Sequence, residues 1–104
     1  MKIIRTILLP RRKLVAVNLF GVVFAPRHET LVPRTLNHEA IHTAQMKEML
    51  YVFFYLWYSA EWLIRLLGKG NAYRNIAFEK EAYFHDHDKN YLKHRKPYNW
   101  LRLL

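Results

Sequence analysis

The chain contains no cysteine. That excludes disulfides, thiolate zinc sites and cysteine nucleophiles together, so any metal must be held by His, Glu or Asp. Glycine is scarce, at three residues, and there is no Gly-rich phosphate loop. Acids are few as well: eight Asp and Glu stand against seventeen Lys and Arg, with six His. The longest continuous apolar run, Met49–Tyr58, covers ten positions, well short of the roughly 18–20 residues that span a bilayer. No internal repeat or low-complexity tract is present.

What is present fits one small domain, residues 1–104. The apolar fraction of 52%, with 15% aromatic, suffices for a modest core and excludes a disordered chain. The formal charge of +9 is concentrated at the ends. Residues 1–34 carry net +6 and residues 68–104 net +4, while residues 35–67 carry net −1. A basic chain attracts polyanions non-specifically. No helix with base-reading Asn or Arg at helical spacing accompanies the charge, so a nucleic-acid partner is not expected.

Two segments imitate targeting or spanning elements. Lys2–Lys13 followed by Leu14–Ala25 has the basic and apolar halves of a signal peptide. Asn18 and Gly21 interrupt its apolar half and Pro26 would follow the cleavage point, so strands are the better reading. Met49–Leu67 approaches a spanning length, but Ser59, Glu61 and Arg65 are costly there, and Glu61 and Arg65 suit a helical ion pair at i, i+4. We expect a cytoplasmic chain whose apolar helix 51–67 is available to a membrane surface or to self-association.

Runs of β-forming residues at Ile3–Leu9, Leu14–Leu19, Phe20–Phe24 and Thr30–Val32 are punctuated by Pro10, Asn18, Gly21, Pro26 and Pro33. They predict a small antiparallel sheet in the first third. About three helices should follow: one from Leu36 to about Leu50 with Thr35 as N-cap, an apolar one at 51–67, and a third from Ala72 to about Asn90. The fold class expected is therefore α+β.

The chemistry centres on His38-Glu39-Ala40-Ile41-His42. Histidines four apart leave one face of a helix a turn apart, so two imidazoles can bind a single Zn²⁺ from one element. Glu39 lies beside the water that such an ion would activate, and can take its proton and deliver it to a leaving amine. The same spacing also suits two partly buried histidines on an ordinary helix. A catalytic zinc needs a further protein ligand, and Asn75–Tyr83 supplies two candidates, Glu79 and Glu81.

His38-Glu39-x-x-His42-x-x-Gln45, then a long helix, then Phe78-Glu79-x-Glu81-Ala82-Tyr83, resembles the small gluzincin-type HExxH zinc metallopeptidases and is similar in size to the minigluzincins. The resemblance implies a zinc-dependent peptidase acting on a peptide or protein, with Zn²⁺ on His38, His42 and Glu79 and with Glu39 as general base. Glu81 stays open as the rival ligand. The family's following Asp, which orients a ligand histidine, falls on Tyr83, a departure from the pattern. The resemblance also implies substrate added as a strand along a sheet edge, near Thr30–Pro33 or Phe20–Ala25.

Several roles stay open at this level. Tyr73, Arg74, His28 and His87 are candidate oxyanion donors by residue type. Gln45, one turn beyond His42, can touch substrate or support a helix contact. The cluster His85-Asp86-His87-Asp88 cannot converge on one ion from a continuous helix and reads as a polar helix end. The apolar and basic tail Pro97–Leu104 carries Tyr98, Trp100, Leu101, Leu103 and Leu104, which need burial, and could fold back over the cleft and keep it latent. The alternatives to a peptidase are a metal-binding domain without activity, and a membrane-surface or interaction protein working through helix 51–67.

Overall fold

A computed structural model describes residues 2–6, 17–26 and 33–104. Three strands, β1 (Lys2–Thr6), β2 (Val17–Leu19) and β3 (Val22–Pro26), form one sheet in the order β1-β3-β2. β2 and β3 are an antiparallel hairpin, with Asn18 opposite Val23. Its two-residue loop, Phe20-Gly21, has φ of 52° and 86°, the paired positive angles that match a hairpin's right-handed twist. Tyr55 holds the unfavourable Phe20 conformation in place, accepting the Phe20 amide on its hydroxyl at 2.9 Å and packing against its ring.

The α+β class is as expected, but the sheet is mixed rather than antiparallel. β1 runs parallel to β3, with Ile3 opposite Val23. The hairpin occupies one side of β3, so β1 pairs on the other, running in the direction of β3; alternation of side chains along a strand does not encode that choice. β3 is consequently central, and the edges among the described residues are β1 and β2. Phe20–Ala25 is therefore not an open edge along Val22–Ala25, and Thr30–Val32 lies outside the described residues. Val23 and Ala25 are fully buried on one face of the sheet.

The first helix, α1 (Pro33–Glu48), begins two residues before the expected cap. Proline suits a first helical position because its missing N–H has no partner there anyway; Thr35 lies inside the helix. The buried residues of α1 are His38, Ile41, His42, Gln45 and Met46. That is the i, i+3, i+4, i+7, i+8 stripe of a core-facing helix, here with three polar side chains in it. Leu50 and Tyr51 then turn the chain with φ of 52° and 59° into α2 (Val52–Leu66). α2 buries Phe54 and Glu61, and the expected Glu61–Arg65 pair forms at 3.2 Å.

The single third helix expected over Ala72–Asn90 is broken into α3 (Ala72–Asn75), α4 (Ala77–His85) and α5 (Tyr91–His94). Asn71 caps α3 by accepting the Arg74 amide at 3.2 Å. Ile76 is extended, with its side chain fully buried. The α4 terminus is capped from another helix: the Glu61 carboxylate accepts the Ala77 amide at 2.9 Å. A long-range acceptor thus satisfies an amide that a continuous helix would have bonded internally. Met46, Phe54, Ile76, Phe78 and Trp100 form the main core, and Ile41, Ala82 and Tyr91 a second cluster.

Trp100 comes from a short 3₁₀ helix at Asn99–Leu103 and packs on Phe78 and Trp57, with ring centroids 4.5 Å and 5.1 Å away. The tail therefore fills the core between α2 and α4 instead of closing over the cleft.

Candidate metal centre

Glu79 stands on the first turn of α4 and faces the polar stripe of α1. His38 Nε2 and His42 Nε2 are 3.2 Å apart, and Glu79 Oε1 lies 3.3 Å from the first and 3.0 Å from the second. All three residues are buried. A tetrahedral ion with bonds of about 2.0–2.1 Å has ligand atoms about 3.3 Å apart, so this triangle has the size of one face of a zinc coordination sphere. His38, His42 and Glu79 could hold a metal ion.

The far side of each imidazole is also engaged. His38 Nδ1 donates to Asp86 Oδ2 at 2.9 Å, and His42 Nδ1 donates to Gln45 Oε1 at 2.8 Å. The Gln45 amide has only one consistent orientation, because its Nε2 donates to the Phe78 carbonyl at 3.0 Å and to Glu81 Oε1 at 2.9 Å. Both Nδ1 atoms therefore carry protons, and both Nε2 atoms turn toward Glu79. That arrangement fixes tautomer and ring direction as metal-bound histidines require. Tyr58 donates to Glu79 Oε2 at 2.7 Å and the Tyr83 ring packs edge-on against His38.

The electrostatics of the triangle call for a positive charge. Burial alone would raise the Glu79 carboxyl, but His42 beside it and hydrogen bonds from His38, His42 and Tyr58 hold it well below the usual carboxylate range. Burial likewise disfavours a charged His42 ring, and the Glu79 carboxylate outweighs it, raising His42 to about 9. A proton on Nε2 thus occupies the place that a cation would fill.

Glu39 is half-buried and lines a cavity of about 210 Å³ together with His42, Glu79, Asn18 and Tyr73. Burial raises its carboxyl above the ordinary value, against the partial opposition of His42 and His38. The cavity is otherwise walled by aromatic rings of α2, Phe54, Tyr55 and Tyr58. Asn18 of edge strand β2 locks the sheet to α1 here, donating to the Glu39 carbonyl and to Thr43 Oγ1, both at 2.9 Å.

Glu81, the rival ligand, faces away from the triangle. It is fully buried and accepts from Tyr91 at 2.7 Å and from Arg95 Nη2 at 3.0 Å, and Arg95 also pairs with Glu48. Burial would raise the Glu81 carboxyl, but these donors lower it. Two residues along a helix point about 200° apart, so Glu79 and Glu81 cannot serve one ion.

The candidate oxyanion donors separate clearly. Tyr73 is on the cavity wall with its hydroxyl 3.1 Å from that of Tyr83. Arg74 instead sits over the Tyr83 ring, 3.8 Å from its centroid. His87 is exposed beyond the buried Asp86, and His28 lies outside the described residues.

Asp86 is the residue that sequence reasoning placed only in a polar helix end. It is buried, receives Arg34 Nε at 2.6 Å, and supplies the carboxylate that the departure at Tyr83 left missing. The available signal was its spacing of seven from Glu79, two turns along the same face. Its neighbours serve the scaffold: His85 stacks on Tyr91 with centroids 4.0 Å apart, and Asp88 lies 3.5 Å from His94. Compared with protein-family models, curated proteins and solved structures, the chain matches none.

Proposed function

We propose that the chain is a zinc-dependent peptidase of gluzincin type, with Zn²⁺ held by His38, His42 and Glu79. The observation that carries this reading is the triangle of two Nε2 atoms and one carboxylate oxygen, 3.0–3.3 Å on each side, with both Nδ1 atoms tied down behind it. When bound, the ion supplies Lewis acidity, polarising a scissile carbonyl and making water a competent nucleophile near neutral pH.

The remaining work falls to the chain. Glu39, with its carboxyl raised by burial, takes the proton of the attacking water and returns it to the leaving amine. Tyr73 offers a hydroxyl donor on the cavity wall for the charge that develops on the carbonyl oxygen. Asp86 and Gln45 hold the two imidazoles in their tautomers, and Tyr58 orients Glu79. The apolar walls limit water around the reacting atoms. A peptide substrate would enter the cavity between Asn18 of β2 and Tyr73, the residues that line it beside Glu39.

A metal-binding domain without activity uses the same triangle but has no use for Glu39. The two readings separate on Glu39→Gln. Under the peptidase reading this variant retains about one zinc per chain and loses hydrolysis of an unstructured protein substrate by several orders of magnitude. Hydrolysis retained in Glu39→Gln overturns the mechanism, and a purified chain without bound zinc overturns the metal assignment.

A further inference from the structure

The helix α2 places its charges on the inside. Glu61 and Arg65 are its only charged residues; Glu61 is buried under α4, and Arg65, half-buried, pairs with it. The outward face is apolar over an unusual width. Trp62, Val52, Leu63, Leu56, Ile64 and Trp57 follow one another around the helix across an arc of about 220° at 3.6 residues per turn. The arc's polar side chains are Ser59 and Tyr55, and Tyr55, beside the Trp62 margin, reaches over to the β2–β3 hairpin instead of facing outward. Of the nineteen large hydrophobic side chains exposed among the described residues, ten lie between Leu50 and Leu67. Leu67 is 91% exposed, Ile64 65% and Leu56 62%.

Three observations bear on what would cover this face. A helix packed against one neighbour needs an apolar stripe of about 100°, so a single facing helix from a second copy leaves half the arc in water; a lipid phase covers its whole width. Trp62 and Trp57 stand at the two margins of the arc, where a helix lying in a membrane plane meets the headgroups, the depth that indole rings favour. The charge is complementary to an anionic surface. No acid lies on the arc, Lys47 and Lys69 flank the two ends of α2, and the chain carries +9. Glu48, the nearest acid before α2, is neutralised by Arg95.

We propose that α2 lies in the plane of an anionic lipid bilayer, with its outer arc sunk to the boundary between headgroups and acyl chains. Attachment is to one leaflet, since no helix among the described residues is long and apolar enough to cross a membrane. The inner face of α2 walls the cavity beside Glu39 through Phe54, Tyr55 and Tyr58. Docking therefore holds that cavity within about one helix diameter, ~10 Å, of the lipid.

The test is flotation of the full chain with vesicles of phosphatidylcholine alone or with phosphatidylglycerol. A polarity-sensitive fluorophore on Ala60→Cys reports the arc, and one on Lys93→Cys serves as the control; the natural chain has no competing cysteine. The expected result is flotation with the phosphatidylglycerol vesicles, several-fold weaker with phosphatidylcholine or in high salt, and a blue shift at position 60 only. Leu56→Glu combined with Leu63→Glu should lower partitioning roughly tenfold or more. Both side chains are exposed, and an unchanged melting temperature confirms the fold. Equal binding to both vesicle types, no flotation at low salt, or a stable dimer whose position-60 label is already blue-shifted without lipid overturns the proposal.

Discussion

His38 Nδ1 donates to Asp86 Oδ2 at 2.9 Å, joining residues 48 apart in the chain. The same carboxylate takes the Arg34 guanidinium on its other oxygen at 2.6 Å. Asp86 is thereby held rigid while it sets which nitrogen of His38 faces the triangle. Asp86 lies three residues beyond Tyr83, the position at which the resemblance to gluzincins implies such a carboxylate. The end of α4 brings the carboxylate back onto the α1 face.

Asp86→Asn preserves size but weakens the acceptor and permits the opposite tautomer. We expect zinc affinity to fall about 10–100-fold, read by competition with a chromophoric chelator, with little change in the metal-free fold. Affinity equal to that of the natural chain would show that His38 orients without Asp86.

Glu79→Ala and Glu81→Gln should behave oppositely. The first removes an atom of the triangle and should abolish stoichiometric zinc binding. The second leaves the triangle intact and loosens Gln45 behind His42, at a cost in affinity of about tenfold at most. The reverse order would move the third ligand to Glu81.

Arg95 is buried between Glu48 and Glu81. Arg95→Met leaves the buried Glu81 and the half-buried Glu48 without their cation and should destabilise by about 3 kcal/mol, measured by urea unfolding. The Glu81 carboxyl is held below its ordinary value in the fold. Its contribution is therefore present above the unfolded value of about 4.3 and lost as pH falls through the lower folded value. The stability difference between the natural chain and Glu81→Gln should narrow on acidification through that window and not at alkaline pH.

Trp100 should prove part of the core. Trp100→Ala empties the space against Phe78 and Trp57 and is expected to cost about 3–5 kcal/mol, seen as a lowered melting temperature. Trp100→Phe should cost less, because it also removes a buried indole N–H that has no partner among the described residues. A tail deletion that leaves stability unchanged would contradict this packing.

Much of the site was legible in local spacing. Histidines at 38 and 42 share a helix face whatever surrounds them, and the apolar stretch 51–67 is long enough to declare a helix. Spacing alone leaves both Glu79 and Glu81 open; in the fold Arg95, Tyr91 and Gln45 claim Glu81, and Glu79 stands beside the two histidines. The break at Ile76 could not be read locally. Residues 72–90 are compatible with one helix, and it is Glu61, sixteen positions before Ala77, that makes the second start favourable.

By itself, then, the sequence determined the kinds of atoms available: no thiols, six imidazoles and eight carboxylates. It also determined which of them share a helix face, because helical periodicity is a local property. Tertiary structure decided everything that joins distant segments. It paired β1 with β3 in parallel, set Asp86 behind His38, and moved Glu81 into an ion pair with Arg95. It also turned the charges of α2 inward and left its apolar arc outside. These outcomes depend on which surfaces pack and which buried polar groups find partners, and neither is encoded in spacing along the chain.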